Sequence, residues 1–267
     1  FLGIHAPGKK GITNYLKAMH HVTLATATGA KTIRSRVPKA NIGTTFSCTH
    51  IESATQSSKD IEAAKRVDTL LNRTFIEPIL GLGYPQKDLP VLKKLNNYIL
   101  EDDLDNLGFD FDFIGLQCYT REIVKYSLLT PYIGAELISA EKRNVISTEM
   151  GWEVYPPALY HILKKFNEYN GIKKIIITEN GAAFPDTVTN GKVYDIKRTH
   201  YIQDHLEQIL KAKKDGLNVD GYFVWSLTDN FEWAEGYNAR FGLIHVDFET
   251  QKRTIKNSGL WFKDFLS

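Results

Sequence analysis

The chain has 267 residues, of which 43% are hydrophobic and 24% charged, with a formal net charge of +2 at pH 7. That is globular composition with enough apolar material for a large core, and it excludes disordered and collagen-like classes. Acids and bases are interleaved without a basic block, which argues against nucleic-acid and membrane partners and for a small neutral molecule.

No apolar run approaches the ~20 residues of a membrane span, and FLGIHAPGKKG at the start lacks the charged-then-apolar pattern of a secretion signal. Cys48 and Cys118 lie far apart in strand-like contexts, which fits buried reduced thiols and a cytoplasmic location. Asn72-Arg73-Thr74 matches a glycosylation triplet of a kind that arises often by chance.

In chain order, Leu16, Met19, His20, Thr23, Leu24 and Ala27 recur at helical spacing within residues 14–36, and Pro38 closes that helix. NIGTTFS (41–47) reads as a short strand, and a helix over about 59–75 is begun by Asp60 and Glu62. FDFIGLQCY (111–119), KKIIITEN (173–180) and GYFVWSL (221–227) are the next strands. PPALYHILKKFNEYN (156–170), HYIQDHLEQILKAKKDG (200–216) and residues 258–265 are the next helices. Strands apolar on both faces that alternate with helices predict a parallel sheet covered by helices. No Gly-rich phosphate loop follows a strand, so a barrel is the expected architecture rather than a nucleotide-binding doubly wound sheet.

In such barrels chemistry sits at the carboxyl ends of the strands. Those ends read Cys118-Tyr119-Thr120, Glu179-Asn180-Gly181 and Trp225-Ser226, followed by a loop with Asp229, Glu232, Trp233 and Glu235. Aromatic faces beside carboxylates suit a sugar, whose C–H faces stack and whose hydroxyls take charge-assisted hydrogen bonds. On these residues alone Glu179 also reads as a buried carboxylate tying down a neighbouring loop, and Trp152, Trp225 and Trp233 also read as core aromatics. Asp229 reads as structural. His20, His21, His200 and His205 lack ligand spacing, so no metal or cofactor is implied.

ITENG, then DIKRTHYIQDHL, then YFVWSLTDNFEWAEGYNARFGLIHVDFETQKRT strongly resembles family 1 of the glycoside hydrolases, the β-glucosidase family. The likeness runs from GIHAPG to KNSGLWF. It implies a (β/α)8 TIM barrel and a retaining mechanism, with Glu179 as nucleophile and Tyr119 as the tyrosine that hydrogen-bonds it. It places Glu232 and Trp233 on the outer sugar hydroxyls, Trp225 under the ring and Trp152 beside the leaving group, with Gln117 and Phe241 also among the substrate-binding residues. Relatives specific for 6-phosphorylated sugars replace the Glu-Trp pair and add a lysine near position 239. Here stand Glu232, Trp233 and Ala239, so unphosphorylated substrates are expected. One departure is Gln117-Cys118-Tyr119-Thr120, where the family usually reads Asn-Tyr-Tyr-Thr.

The family's acid/base glutamate lies in an Asn-Glu-Pro segment that this chain does not contain. The expectation is one domain over residues 1–267, forming strands five to eight of the barrel with their helices and lacking strands one to four. Such a half barrel leaves sheet edges open, so either the missing N-terminal half or a second copy is the expected partner, unless the chain is a truncated remainder. The function expected is a β-glucosidase-like retaining hydrolase of terminal unphosphorylated β-D-glycosides with its acid outside this chain. The alternative is a non-catalytic sugar-binding or scaffold half barrel.

Overall fold

The alternation of apolar runs and helices carries through into the computed structural model, which describes Gly3 and residues 6–267. Ile4 and His5 of the GIHAPG stretch lie outside the described residues. Helix α1 (Ile12–Arg36) leads to strands β1 (Gly43–Ser47) and β2 (His50–Ser53), then to helices α2 (Ser58–Asp68), α3 (Thr74–Ile79) and α4 (Asp103–Asn106). Strands β3 (Phe113–Gln117), β4 (Arg121–Tyr126) and β5 (Ala135–Leu137) precede helix α5 (Pro157–Asn167) and strand β6 (Ile175–Asn180). The short strands β7 (Val188–Thr189) and β8 (Lys192–Val193) lead to helix α6 (Ile196–Lys214) and strand β9 (Val219–Val224). Strands β10 (Ile244–Val246) and β11 (Arg253–Ile255) and helix α7 (Asn257–Phe265) complete the order.

Strands β1, β3, β6 and β9 lie side by side in that order, every pairing parallel. One face is driven against helices by its apolar residues: Ile114, Leu116, Ile175 and Ile177 join Leu159, Ile162 and Phe166 of α5 and Ile209 of α6 in one buried cluster. On the other face Thr45 and Thr178 share a hydrogen bond at 2.6 Å across β3. They meet because Gly115 lies between them; a Cβ there would come within 2.9 Å of both Thr45 Cβ and the Thr178 methyl.

Several elements depart from the sequence reading. The helix expected over 59–75 is broken: α2 ends at Asp68 and a π-helical turn spans Thr69–Arg73 before α3. Thr74 Oγ1 donates to the carbonyl of Thr69, five residues back, at 2.6 Å, which supports the wider turn. Asn72 sits inside it, 2% exposed, donating to the Thr49 carbonyl and to Asp68, so the glycosylation triplet is structural. The strand expected over 221–227 starts at Val219 and stops at Val224, leaving Trp225 and Ser226 in the following loop. The mixed sheet β2–β4–β5 and the pairs β7–β8 and β10–β11 escaped the reading because their strands are short and partly exposed, with no apolar run to mark them. Among the described residues no helix is long and apolar enough to cross a membrane.

Candidate active site

Glu179 owes its direction to an irregularity in β6. Ile175 and Ile177 face the helices, and strict alternation would send residue 179 after them. The register of β6 shifts against β9 between Ile177 and Asn180, and against β3 between Leu116 and Gln117. As a result Asn180 takes the buried helix-side position, bonded to Tyr201 of α6, and Glu179 turns toward Gln117. Re-aiming a side chain is a recurrent effect of such bulges near functional sites.

Each oxygen of the Glu179 carboxylate accepts one donor. Gln117 Nε2 donates to Oε1 at 2.8 Å and Tyr119 Oη donates to Oε2 at 2.5 Å. Burial, followed by donation to Glu179 and its charge, drives the Tyr119 hydroxyl far above the usual phenol range, so it remains a donor. A carboxylate held this way is fixed in orientation and retains free lone pairs toward the open side.

Around it stands an aromatic wall. The rings of Tyr119 and Trp152 lie 5.2 Å apart, and Phe241 lies 6.2 Å from Tyr119 and 6.1 Å from Trp152. Trp225 packs on the same small cluster as Ala183, Ala239 and Phe241. Its indole N–H donates to Glu232 Oε2 at 3.3 Å. Burial raises the Glu232 carboxyl, the Trp225 N–H opposes that, and the Glu179 charge adds to the rise, so the two acids sense each other. Trp233 is 70% exposed and lies in the left-handed backbone region at φ 40°. Seven of the eight expected site residues therefore converge: Gln117, Tyr119, Trp152, Glu179, Trp225, Glu232 and Phe241.

Gly181 follows Asn180 at the end of β6, and a Cβ at residue 181 would stand 1.8 Å from the Trp225 carbonyl oxygen. Only a missing side chain lets β6 and the end of β9 approach this closely.

Supporting residues went unnoticed in the sequence. Arg198 and Lys256, 1% and 0% exposed, bind Asp186, Asp195 and Asp229 beneath the loops that follow β6 and β9. Arg240 reaches Asp229 from the other side at 2.7 Å, in keeping with a structural Asp229. Beside Trp152, Glu153 is gripped by Arg121 at 2.9 Å and Arg143 at 2.7 Å, and Thr120 Oγ1 donates to its carbonyl at 2.9 Å. The signal available was slight: in DIKRTHYI an arginine sits at a core position of α6.

A profile described as "Glycosyl hydrolase family 1" matches residues 1–267. A 1,4-beta-D-glucan glucohydrolase of Thermotoga neapolitana is 40% identical over 99% of this chain and 59% of its own length. Beta-glucosidase A of Acetivibrio thermocellus is 39% identical over 100% of this chain and 60% of its own. A family 1 β-glucosidase structure from Thermotoga maritima superimposes with a TM-score of 0.92 at 38% identity, covering 99% of this chain and 59% of that one. The chain thus spans about 60% of the length of the relatives it matches.

Proposed function

The chain belongs to glycosyl hydrolase family 1, and from that premise we propose that it carries the nucleophile half of a retaining β-glycosidase site acting on unphosphorylated β-D-glycosides. One observation carries the reading: the Glu179 carboxylate, at the carboxyl end of a parallel strand, is held on one oxygen by Gln117 and on the other by Tyr119, within reach of Trp152, Trp225 and Glu232. In this mechanism the free lone pair of Glu179 attacks the anomeric carbon as the glycosidic C–O bond breaks. The departing oxygen takes its proton from a carboxylic acid that we assign outside these 267 residues. Water, deprotonated by that same group, then attacks the anomeric carbon and releases Glu179.

Tyr119 orients the nucleophile, and Gln117 fixes its second oxygen. Trp225 offers the apolar face of a ring platform, with Phe241 and Trp152 walling the site toward the leaving group. Glu232 accepts from sugar hydroxyls, and Trp233 covers their outer side. A phosphate on the sugar would meet Glu232 instead of a cation, which is the argument for unphosphorylated substrates. The names of the relatives, a glucan glucohydrolase and β-glucosidases, favour a glucoside.

We further assign β1, β3, β6 and β9 to strands five to eight of a (β/α)8 barrel, with residues 1–267 as one domain. The length relation to the relatives and the outer edges of β1 and β9, unpaired in this sheet among the described residues, support this assignment. The partner that fits is the complementary half of the barrel, or a second copy of the chain, set against those edges. The free, buried thiols Cys48 and Cys118 favour a cytoplasmic setting.

The reading is tested by intact-mass measurement of the folded chain after incubation with a 2-fluoro glucoside bearing a good leaving group, for which protonation is hardly needed. A single sugar adduct on Glu179, absent from Glu179→Gln, is expected. A folded sample that gains no adduct would refute the assignment of the nucleophile.

A further inference from the structure

Cys48 and Cys118 directly follow Ser47 and Gln117, the last paired residues of adjacent strands β1 and β3. The Cys48 N–H donates to the Gln117 carbonyl at 2.9 Å, and Cys48 Sγ lies 3.4 Å from the same oxygen. In-register residues of neighbouring parallel strands stand about 4.8 Å apart. A disulfide bridges Cα atoms about 4.4–6.8 Å apart, so the backbone is already spaced for one. Both thiols are free, and both belong to one buried cluster at 5% and 1% exposure.

They differ in access. Cys48 lines a cavity of about 430 Å³, together with Ser47, Phe75, Tyr119 and Trp152, whereas Cys118 does not line it. Cys118, for its part, sits in the chain between Gln117 and Tyr119, the two donors that hold Glu179.

We propose that Cys48 and Cys118 are a reversible thiol–disulfide pair, charged by a small disulfide entering this cavity, whose closure shifts the residues that hold Glu179. The steps balance as ordinary exchange. The Cys48 thiolate attacks the small disulfide, forms a mixed disulfide and expels one thiolate. Cys118, losing its proton, attacks the Cys48 sulfur and expels the second. The two protein thiols give up two protons and two electrons, and the small disulfide is reduced to two thiols.

Closure brings the sulfurs to about 2.05 Å, nearer than two non-bonded sulfurs can stand. In a close-packed interior that movement is not absorbed locally. It passes along the backbone to Gln117 and Tyr119, and from Tyr119 to the Trp152 ring at 5.2 Å. The neighbouring Cys118 sulfur and then burial push the Cys48 thiol up, so exchange is slow at neutral pH and quickens as pH rises.

The test is incubation of the folded chain with hydroxyethyl disulfide at about pH 8.5, followed by intact mass, non-reducing peptide mapping and tryptophan emission. The wild type should lose two hydrogens, yield a peptide cross-linked between Cys48 and Cys118, and change its emission reversibly with dithiothreitol. Cys118→Ser should retain a mixed disulfide on Cys48, and Cys48→Ser should remain unmodified. Absence of the cross-link, an adduct that stays on wild-type Cys48, or reaction of Cys118 in Cys48→Ser would overturn the pair. A cross-link with unchanged emission would overturn its coupling to the Glu179 end. The wild-type cross-link decides even where a serine variant fails to fold, and none of these readouts depends on glycoside hydrolysis.

Discussion

Tyr222 donates its hydroxyl to Asn180 Oδ1 at 2.8 Å, tying β9 to β6 at the residue that follows Glu179. The same fully buried amide donates to the Cys118 carbonyl at 2.7 Å and to the Tyr201 hydroxyl at 3.2 Å, so one side chain joins β3, β6, β9 and α6. Tyr222→Phe leaves Asn180 Oδ1 buried without its donor and should cost about 1–3 kcal/mol. Asn180→Ala orphans the Tyr222 hydroxyl and the Cys118 carbonyl together and should cost more. Urea unfolding midpoints measure both, and a Tyr222→Phe midpoint equal to that of the wild type would refute the tie.

Tyr119→Phe removes one hydroxyl and keeps the ring between Trp152 and Phe241. A hydrogen bond to a charged group contributes about 1.5–3 kcal/mol, so loss of orientation at Glu179 should slow its labelling by a 2-fluoro glucoside by about 10- to 150-fold. The unfolding midpoint should move little, since the phenylalanine fills the same space. Equal labelling rates would show that the hydroxyl does not position the nucleophile.

The strand-helix alternation, and with it the parallel sheet and the strand ends that carry Glu179, Tyr119 and Trp225, was legible because buried parallel strands announce themselves as apolar runs. The direction of Glu179 was not, because it depends on register shifts that period-two reading cannot see. Nor was the reason for Gly181, which answers a contact with Trp225, forty-four residues further on. The Arg198 and Lys256 cluster stayed hidden because arginine and lysine are almost never fully buried unless paired, and pairing is invisible in one dimension. The strands β2, β4 and β5 were lost for want of any continuous apolar stretch.

Gly181→Ala puts a methyl group into the Trp225 carbonyl, which is backbone and cannot swing aside. Overpacking of this kind typically costs about 1–3 kcal/mol, occasionally more, and this site belongs at the upper end. Thermal unfolding of the variant should show a clear drop, accompanied by a change in Trp225 fluorescence. An alanine variant as stable as the wild type would show that the two strand ends lie further apart than described.

His205, buried in α6 and stacked 3.9 Å from Tyr201, donates Nδ1–H to the Tyr201 carbonyl at 2.7 Å. Burial lowers its pKa from 6.5 to about 4. The unfolded chain therefore takes up a proton below about pH 6.5 that the folded chain refuses until about pH 4. The resulting stability is fully present above the upper value and is lost as pH falls between the two, on the order of 3 kcal/mol. His205→Phe, which can still stack on Tyr201, should flatten that part of the stability–pH curve relative to wild type. Parallel curves over this window would exclude His205 as the source.

Lys256 Nζ, with no exposed surface, contacts Asp186 and Asp229, the latter at 2.7 Å, while Arg198 and Arg240 hold the far sides of the same carboxylates. Burial alone would raise the Asp229 carboxyl, but Lys256, Arg240 and the Val246 N–H outweigh it and hold Asp229 below the usual carboxylate range. Lys256→Met keeps an unbranched side chain, one atom shorter, and deletes its charge, leaving more negative than positive charge in a buried cluster, and should cost about 3–5 kcal/mol. The surface pair Lys65–Glu62, 62% and 56% exposed, is the control, and its removal should cost at most about 1 kcal/mol. Asp229→Asn added to Lys256→Met rebalances the charge, so the double variant should be more stable than the sum of the single losses. Additive losses would mean that the two side chains act independently, and that the loops after β6 and β9 are held by packing instead of by this shared charge.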